Sequence, residues 1–190
     1  MKINFCGDSF CRDYNTPDKT KARPNSYVQL LSKKLNAKLI GIGGSGTAHE
    51  HTFRTFNPEA DYTVFCWTEA HRLYHPTHRI NMARCDANKD VDPIYQAGHD
   101  YYKYIHDWDY MTKLQCKEFY WFDNTVLSHY KGKAVHLYSF RVPPYKFKNG
   151  IDTRMQLFQY KVEDDYANHM SEAKNIQLSE YLFNILKGKE

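Results

Sequence analysis

The feature that most constrains the fold is a recurring order of short apolar runs, each ending in a polar or glycine-rich turn. The runs cover residues 2–6, 38–42 and 62–67, and they end in Gly7-Asp8-Ser9, in the glycine-rich segment 43–47 and in Thr68-Glu69. Apolar runs of this length, bounded by turn residues, predict buried strands. A further run at 134–140 predicts a fourth strand.

Segments with helical spacing of apolar residues separate these strands. The spacing predicts a helix after Asn25 or Ser26, either of which could be its N-cap. It also predicts a short helix over 47–56, a longer one from 97 to 130 broken near 107–109, and a terminal helix over 171–186. Residues 70–95 and 143–152 are expected to be loops. Strands that alternate with helices predict an α/β fold of three layers, with a mainly parallel central sheet.

The composition fits one domain over residues 1–190. The chain has 16 Tyr, 11 Phe and 3 Trp, and many of them lie between Tyr95 and Phe122. We therefore expect an aromatic-rich insertion at about 70–130, which covers the sheet, shapes a pocket or meets a partner. The net charge of +4 is small and spread along the chain, so nucleic-acid binding is not expected.

Three polar clusters follow predicted strands, at 7–9, 43–47 and 68–69. In a parallel sheet such clusters share one edge, where ligands of α/β proteins bind. A serine on a turn at this edge can act as a nucleophile if a base, usually His, lies beside it. A glycine turn can offer a backbone N–H to an oxyanion because no side chain blocks the approach.

Four segments in this order resemble the blocks of the SGNH (GDSL-like) hydrolase family. They are Phe5-Cys6-Gly7-Asp8-Ser9, Ile42-Gly43-Gly44-Ser45-Gly46-Thr47, Val64-Phe65-Cys66-Trp67-Thr68-Glu69, and Asn168-His169-Met170-Ser171-Glu172 before the terminal helix. The resemblance spans nearly the whole chain and implies a flavodoxin-like SGNH hydrolase fold. It rests on Gly-Asp-Ser combined with a His that is followed by Ser-Glu and an amphipathic terminal helix, and the third block departs from the family's Gly-x-Asn-Asp.

The resemblance implies a role for individual residues. Ser9 would be the nucleophile and His169 its base, with the N–H groups of Ser9 and Gly44 as oxyanion donors. Thr68 occupies the family's Asn position and would be the third donor, through its hydroxyl. The family's Asp, three residues before the His, is replaced by Tyr166 here.

The supporting carboxylate and the substrate contacts are assigned by position. Asp165 is expected to orient His169, with Asp164 as the second choice. Asp8, Glu69 and Arg72 border the expected pocket and are predicted to contact substrate.

The resemblance implies an esterase that acts on a small acyl ester, with an O-acetylated carbohydrate as one candidate, and needs no cofactor or metal. The alternative is a catalytically weak or inactive module that binds a glycan or a protein. A loop that holds His71, His75 and His78 could in principle bind zinc or nickel, but a polar loop is favoured.

The start of the chain lacks an apolar signal region and no apolar run is long enough to span a membrane, so a cytoplasmic protein is expected. The abundance of Asn, Lys and Tyr resembles divergent SGNH-like proteins of bacteriophages, for which the host cytoplasm or the virion would be the location.

Overall fold

The computed structural model describes residues 1–12, 26–161 and 168–189. Its centre is a five-stranded sheet in which every neighbouring pair of strands is parallel. The strands are β1 (Lys2–Gly7), β2 (Lys38–Gly41), β3 (Tyr62–Trp67), β4 (Lys133–Tyr138) and β5 (Ile151–Gln156). The strand order is β2-β1-β3-β4-β5, which is the flavodoxin-like doubly wound order, with its switch point between β1 and β3.

The described residues form six α-helices, which pack on the two faces of the sheet. They are α1 (Tyr27–Leu35), α2 (His49–Thr55), α3 (Met82–Asn88), α4 (Pro93–Tyr104), α5 (Trp108–Trp121) and α6 (Glu172–Lys187). Serine side chains cap two of them, because Ser26 accepts a hydrogen bond from the Gln29 N–H and Ser171 accepts one from the Lys174 N–H. The predicted three-layer α/β fold is confirmed.

Two separate apolar cores account for the three layers. On one face, Phe5 and Val64 of the sheet pack with Leu31 of α1 and Leu182 of α6. On the other face the core is aromatic and contains Phe65, Trp67, Phe119, Phe122 and Phe147. Alternate residues of β3 serve the two cores, since successive side chains of a strand point to opposite faces. Each large side chain buried in this way contributes about 1.5–3 kcal/mol to folding.

Two parts of the fold differ from the sequence-based expectation. The predicted loop over 70–95 contains α3, and α4 already begins at Pro93. Only Cys85 of α3 is buried, so this helix carries no apolar stripe for a pattern to detect. The predicted loop over 143–152 runs into β5, an edge strand with no fully buried residue.

The aromatic run from Tyr95 to Phe122 has two kinds of member. Phe119 and Phe122 are buried against the sheet. A second set is about half exposed or more and consists of Tyr104, Trp108, Tyr110, Tyr120 and Trp121. The segment therefore covers one face of the sheet and also exposes aromatic side chains to solvent.

None of the described helices combines the length and apolar character that crossing a membrane requires.

Candidate active site

Ser9 and His169 meet at the carboxyl edge of the sheet. The Ser9 Oγ and the His169 Nε2 are 2.9 Å apart, although the two residues are 160 positions apart in the chain. Ser9 follows β1, and His169 lies two residues before α6. The structure thus brings together the two residues that the sequence pairs as nucleophile and base, at the distance that proton transfer requires.

The turn that carries Ser9 is held by close backbone contacts. Ser9 begins a single 3-10 turn, and the Asp8 side chain caps it by accepting a hydrogen bond from the Phe10 N–H. Gly43 packs so closely on this turn that an added methyl group would lie 2.4 Å from both the Asp8 carbonyl oxygen and the Cys11 Sγ. The glycine is required there because any side chain would push the two turns apart.

His169 is held in a conformation that is uncommon for residues other than glycine. Its φ of 64° lies in the left-handed region, which costs of the order of 1 kcal/mol. The flanking residues fix it, since Asn168 donates to the Asn175 Oδ1 at 2.5 Å and the Asn175 Nδ2 donates to the Met170 carbonyl at 3.1 Å. Side-chain contacts of α6 therefore aim the imidazole at Ser9.

The pKa of His169 is lowered from 6.5. Burial is the main cause, and the positive charges of Lys161 and Arg72 act in the same direction, while the Asp8 carboxylate opposes them. A lowered pKa keeps the imidazole neutral at pH 7, which is the form that can accept a proton from Ser9.

Asp8 does not lie where a substrate-binding residue would. The sequence predicts that it contacts substrate, but its side chain is fully buried. Its Oδ1 accepts a hydrogen bond from the Ser139 hydroxyl at 2.7 Å, and its Oδ2 lies 3.6 Å from the Arg72 Nη1. Burial raises its pKa, and Arg72 and Ser139 counteract this. Asp8 therefore supports the turn from beneath, and its contact with substrate stays a prediction that the observed burial does not favour.

The three predicted oxyanion donors have different surroundings. The Ser9 N–H donates to no acceptor among the described residues, which leaves it available. The Gly44 N–H donates to the Gly7 carbonyl at 2.9 Å, so it is not a free donor in this structure, and its role towards an oxyanion stays a prediction. The Thr68 hydroxyl is buried and lies close enough to Asp8 to help lower the pKa of that carboxyl, although it makes no close hydrogen bond within the described part of the chain. Since Cys66 pairs with Gly7, Thr68 and Ser9 each lie two residues beyond a paired position.

Glu69 and Arg72, the other two residues predicted to contact substrate, lie next to Asp8 and to each other. The Glu69 carboxylate lies 3.2 Å from the His71 Nε2 and 3.4 Å from the Arg72 Nε. Burial opposes its ionisation, but the contacts with His71 and Arg72 outweigh it and lower its pKa. Arg72 also lies over the Phe140 ring at 4.7 Å, so its guanidinium is held between Glu69, Asp8 and an aromatic face.

A small cavity opens beside Glu69. It measures about 50 Å³ and its lining includes Glu69, His71, Trp108 and Arg141. The His71 and Trp108 ring centroids are 4.1 Å apart, so the aromatic segment reaches this edge of the sheet. A larger groove of about 440 Å³ lies by Lys133, where β4 begins and thus away from Ser9.

The remaining predictions concern the supporting carboxylate and a possible metal site. Asp165, Asp164 and Tyr166 lie outside the described residues, so the support of His169 by Asp165 stays a prediction. Within the described ranges, no group of three or more His, Cys, Asp or Glu side chains could hold a metal ion. Ser139, which the sequence does not single out, contacts Asp8. It directly follows β4, which ends at Tyr138, and the predicted run over 134–140 hid it inside a strand.

Comparisons with known proteins give no relative for this chain: no protein-family model, no curated protein and no solved structure matches it.

Proposed function

We propose that this protein is an SGNH-like serine esterase that hydrolyses small acyl esters, with O-acetylated carbohydrates as one candidate substrate. The observation that carries the proposal is the 2.9 Å contact between the Ser9 Oγ and the His169 Nε2. A serine needs such a base to become nucleophilic at neutral pH.

The proposed reaction has two steps. The Ser9 Oγ attacks the ester carbonyl while His169 takes its proton, and the tetrahedral intermediate expels the alcohol as His169 returns the proton to it. Water, activated by His169, then releases the acid from the acyl-enzyme. The Ser9 N–H is the donor that remains available for the oxyanion, because the Thr68 hydroxyl is buried beside Asp8.

The limited exposure of Ser9 supports a small acyl group. Only 7% of its surface is accessible, and the Phe10 ring lies 5.1 Å from the imidazole of His169. A short chain such as acetyl can approach the hydroxyl with little movement of the turn.

The test is hydrolysis of p-nitrophenyl acetate by the purified protein. Ser9→Ala and His169→Gln should each lower kcat at least about 10³-fold, because each removes a member of the dyad. Ser128→Ala is the matched control, since Ser128 is exposed and lines the groove at the start of β4. Equal rates for the wild type and Ser9→Ala would refute the proposal.

The second candidate function is a non-catalytic module that binds a glycan or a protein. The observation in its favour is the Gly44 N–H, which is already bonded to Gly7 and leaves the oxyanion with fewer donors. Loss of one donor typically costs about 10²–10³ in rate. A wild-type protein that binds an acetylated oligosaccharide but hydrolyses it no faster than Ser9→Ala would favour this function.

A further inference from the structure

The glycine-rich turn after β2 presents hydrogen-bond donors that the described structure does not use. The N–H groups of Ser45 and Gly46 donate to no acceptor among the described residues, and the Ser45 hydroxyl has no hydrogen-bond partner there either. Both residues are partly exposed, so a ligand can reach them. Successive free backbone N–H groups in a turn are suited to bind an anion.

Basic side chains from three separate segments surround the same turn. A methyl group added to Gly46 would lie 3.4 Å from the Arg84 Nε and 3.4 Å from the Arg79 Cβ. One added to Gly44 would lie 3.1 Å from the His51 Nε2. The charge of Arg79 also helps burial to lower the pKa of His51, so these two side chains are near each other.

The two arginines at the turn, like Arg12 and Arg141 and unlike three other described arginines, are not neutralised by an ion pair within the described residues. Arg54 is paired with Glu50, Arg72 with Asp8 and Glu69, and Arg154 with Asp152. Arg79 and Arg84 form no ion pair with any residue that the structure describes. Two guanidinium groups without carboxylate partners, beside free N–H groups, make a site for an anion with several oxygen acceptors.

This turn is joined directly to the turn that carries Ser9. The Gly44 N–H donates to the Gly7 carbonyl at 2.9 Å, and the Gly43 N–H donates to the Cys11 carbonyl at 3.0 Å. An anion held at Ser45 and Gly46 would therefore lie on the same ligand-binding edge as the Ser9 hydroxyl. The bound anion could therefore belong to the same substrate molecule whose ester group Ser9 attacks.

We propose that the 43–47 turn, with Arg79 and Arg84, binds a phosphate group of the substrate, so that the substrate class is the acyl ester of a phosphorylated alcohol. The part that concerns the substrate depends on the proposed esterase function. The phosphate site itself does not depend on it, and the two can fail separately.

The first experiment measures binding of inorganic phosphate by calorimetry to the full chain carrying Ser9→Ala, in which hydrolysis is removed. The amide signals of Ser45 and Gly46 should shift in NMR spectra on titration. Arg79→Gln and Arg84→Gln should each weaken phosphate binding at least about tenfold, because each removes a charged hydrogen-bond donor. Arg54→Gln removes the same charge from the exposed face of α2 and should leave binding unchanged.

The second experiment compares kcat/KM for 1-acetylglycerol 3-phosphate and for 1-acetylglycerol, which differ only in the phosphate. We expect a preference of at least about tenfold for the phosphorylated ester, which Arg79→Gln and Arg84→Gln abolish and Arg54→Gln keeps. If neither ester is hydrolysed but phosphate binds through Arg79 and Arg84, the esterase function fails and the anion site stands. Absent phosphate binding, or binding that Arg54→Gln weakens equally, overturns the anion site. Phosphate binding together with equal kcat/KM values overturns the assignment of the substrate class.

Discussion

The hydrogen bond from Ser139 to Asp8 gives the sharpest prediction about how the site is held. Ser139→Ala removes an O–H donor that lies 2.7 Å from a carboxylate with no access to water. A hydrogen bond to a charged group contributes about 1.5–3 kcal/mol, and water cannot replace it at a fully buried position. We expect the free energy of unfolding to fall by about 1–3 kcal/mol, with the larger loss where Asp8 is ionised, which lowers the Tm by roughly 2–12 °C in a chain of this length.

The matched control is Ser179→Ala. Ser179 is equally buried, but its hydroxyl donates to the neutral carbonyl of Ile176 at 2.7 Å. Its loss should cost about 1 kcal/mol. Since Ser139 also contacts the Cys66 Sγ at 3.1 Å, a double-mutant cycle of Ser139→Ala with Asp8→Asn isolates the charged hydrogen bond, with an expected coupling of about 1–2 kcal/mol.

The pH dependence distinguishes a charged hydrogen bond from simple packing. Burial raises the pKa of Asp8, so the native state holds its proton at pH values where the unfolded chain has lost it. Stability therefore falls as pH rises from about 3.8 through the native pKa, and the Ser139 hydrogen bond limits this loss by favouring the ionised form. In urea titrations, Ser139→Ala should cost more at pH 7 than at pH 4. An equal cost at both pH values, or a cost equal to that of Ser179→Ala, would refute the reasoning.

Three further predictions concern the turn, the aromatic core and the candidate dyad. Gly7→Ala should destabilise the protein by about 3 kcal/mol or more, because its methyl group would lie 2.2 Å from the Cys66 carbonyl oxygen. Gly188→Ala, where no atom lies within 4 Å, should cost only about 1 kcal/mol, and similar denaturation midpoints would contradict this. His136 is buried and its pKa is lowered to about 4, so stability should fall by roughly 3 kcal/mol as pH drops from 6.5 to 4; an NMR titration midpoint near 6.5 would contradict it. In ester hydrolysis, the acid limb of kcat/KM should have its midpoint below 6.5, because the pKa of His169 is lowered, and Asp8→Asn should move it lower still. A limb that does not move in Asp8→Asn would exclude a charge effect of Asp8 on His169.

The fold was predictable where apolar runs end in turn residues. Each of the four predicted strands is present, and Ser26, one of the two predicted N-cap candidates, caps α1. The elements that the sequence missed are those with little apolar signal. β5 is an edge strand in which Arg154 adopts a φ of 53°, and α3 packs through Cys85 against Gly98 of α4. A close approach of one glycine to one cysteine leaves no periodic pattern.

The sequence predicts which strand ends form the candidate site, but it does not predict which residues there contact each other. Ser9 and His169 could be paired because their residue types and surrounding motifs point to one reaction. The positions of Asp8 and Gly44 could not be inferred, because both depend on which strand neighbours which. Asp8 is enclosed by Ser139 after β4, and the Gly44 N–H is used by Gly7 at the end of β1.

Asp8 links the end of β1 to the segments that follow β3 and β4. Its carboxylate is contacted by Arg72 from the segment after β3 and by Ser139 after β4, while it caps the turn that begins with Ser9. Burying such a charge is unfavourable, and an apolar group of similar size often gives a more stable core. An apolar residue, however, could not accept the hydrogen bond of the Phe10 N–H and would leave Arg72 without one of its two carboxylates. The carboxylate therefore costs stability while fixing the direction of the Ser9 turn, which is what positioning a nucleophile within reach of His169 requires.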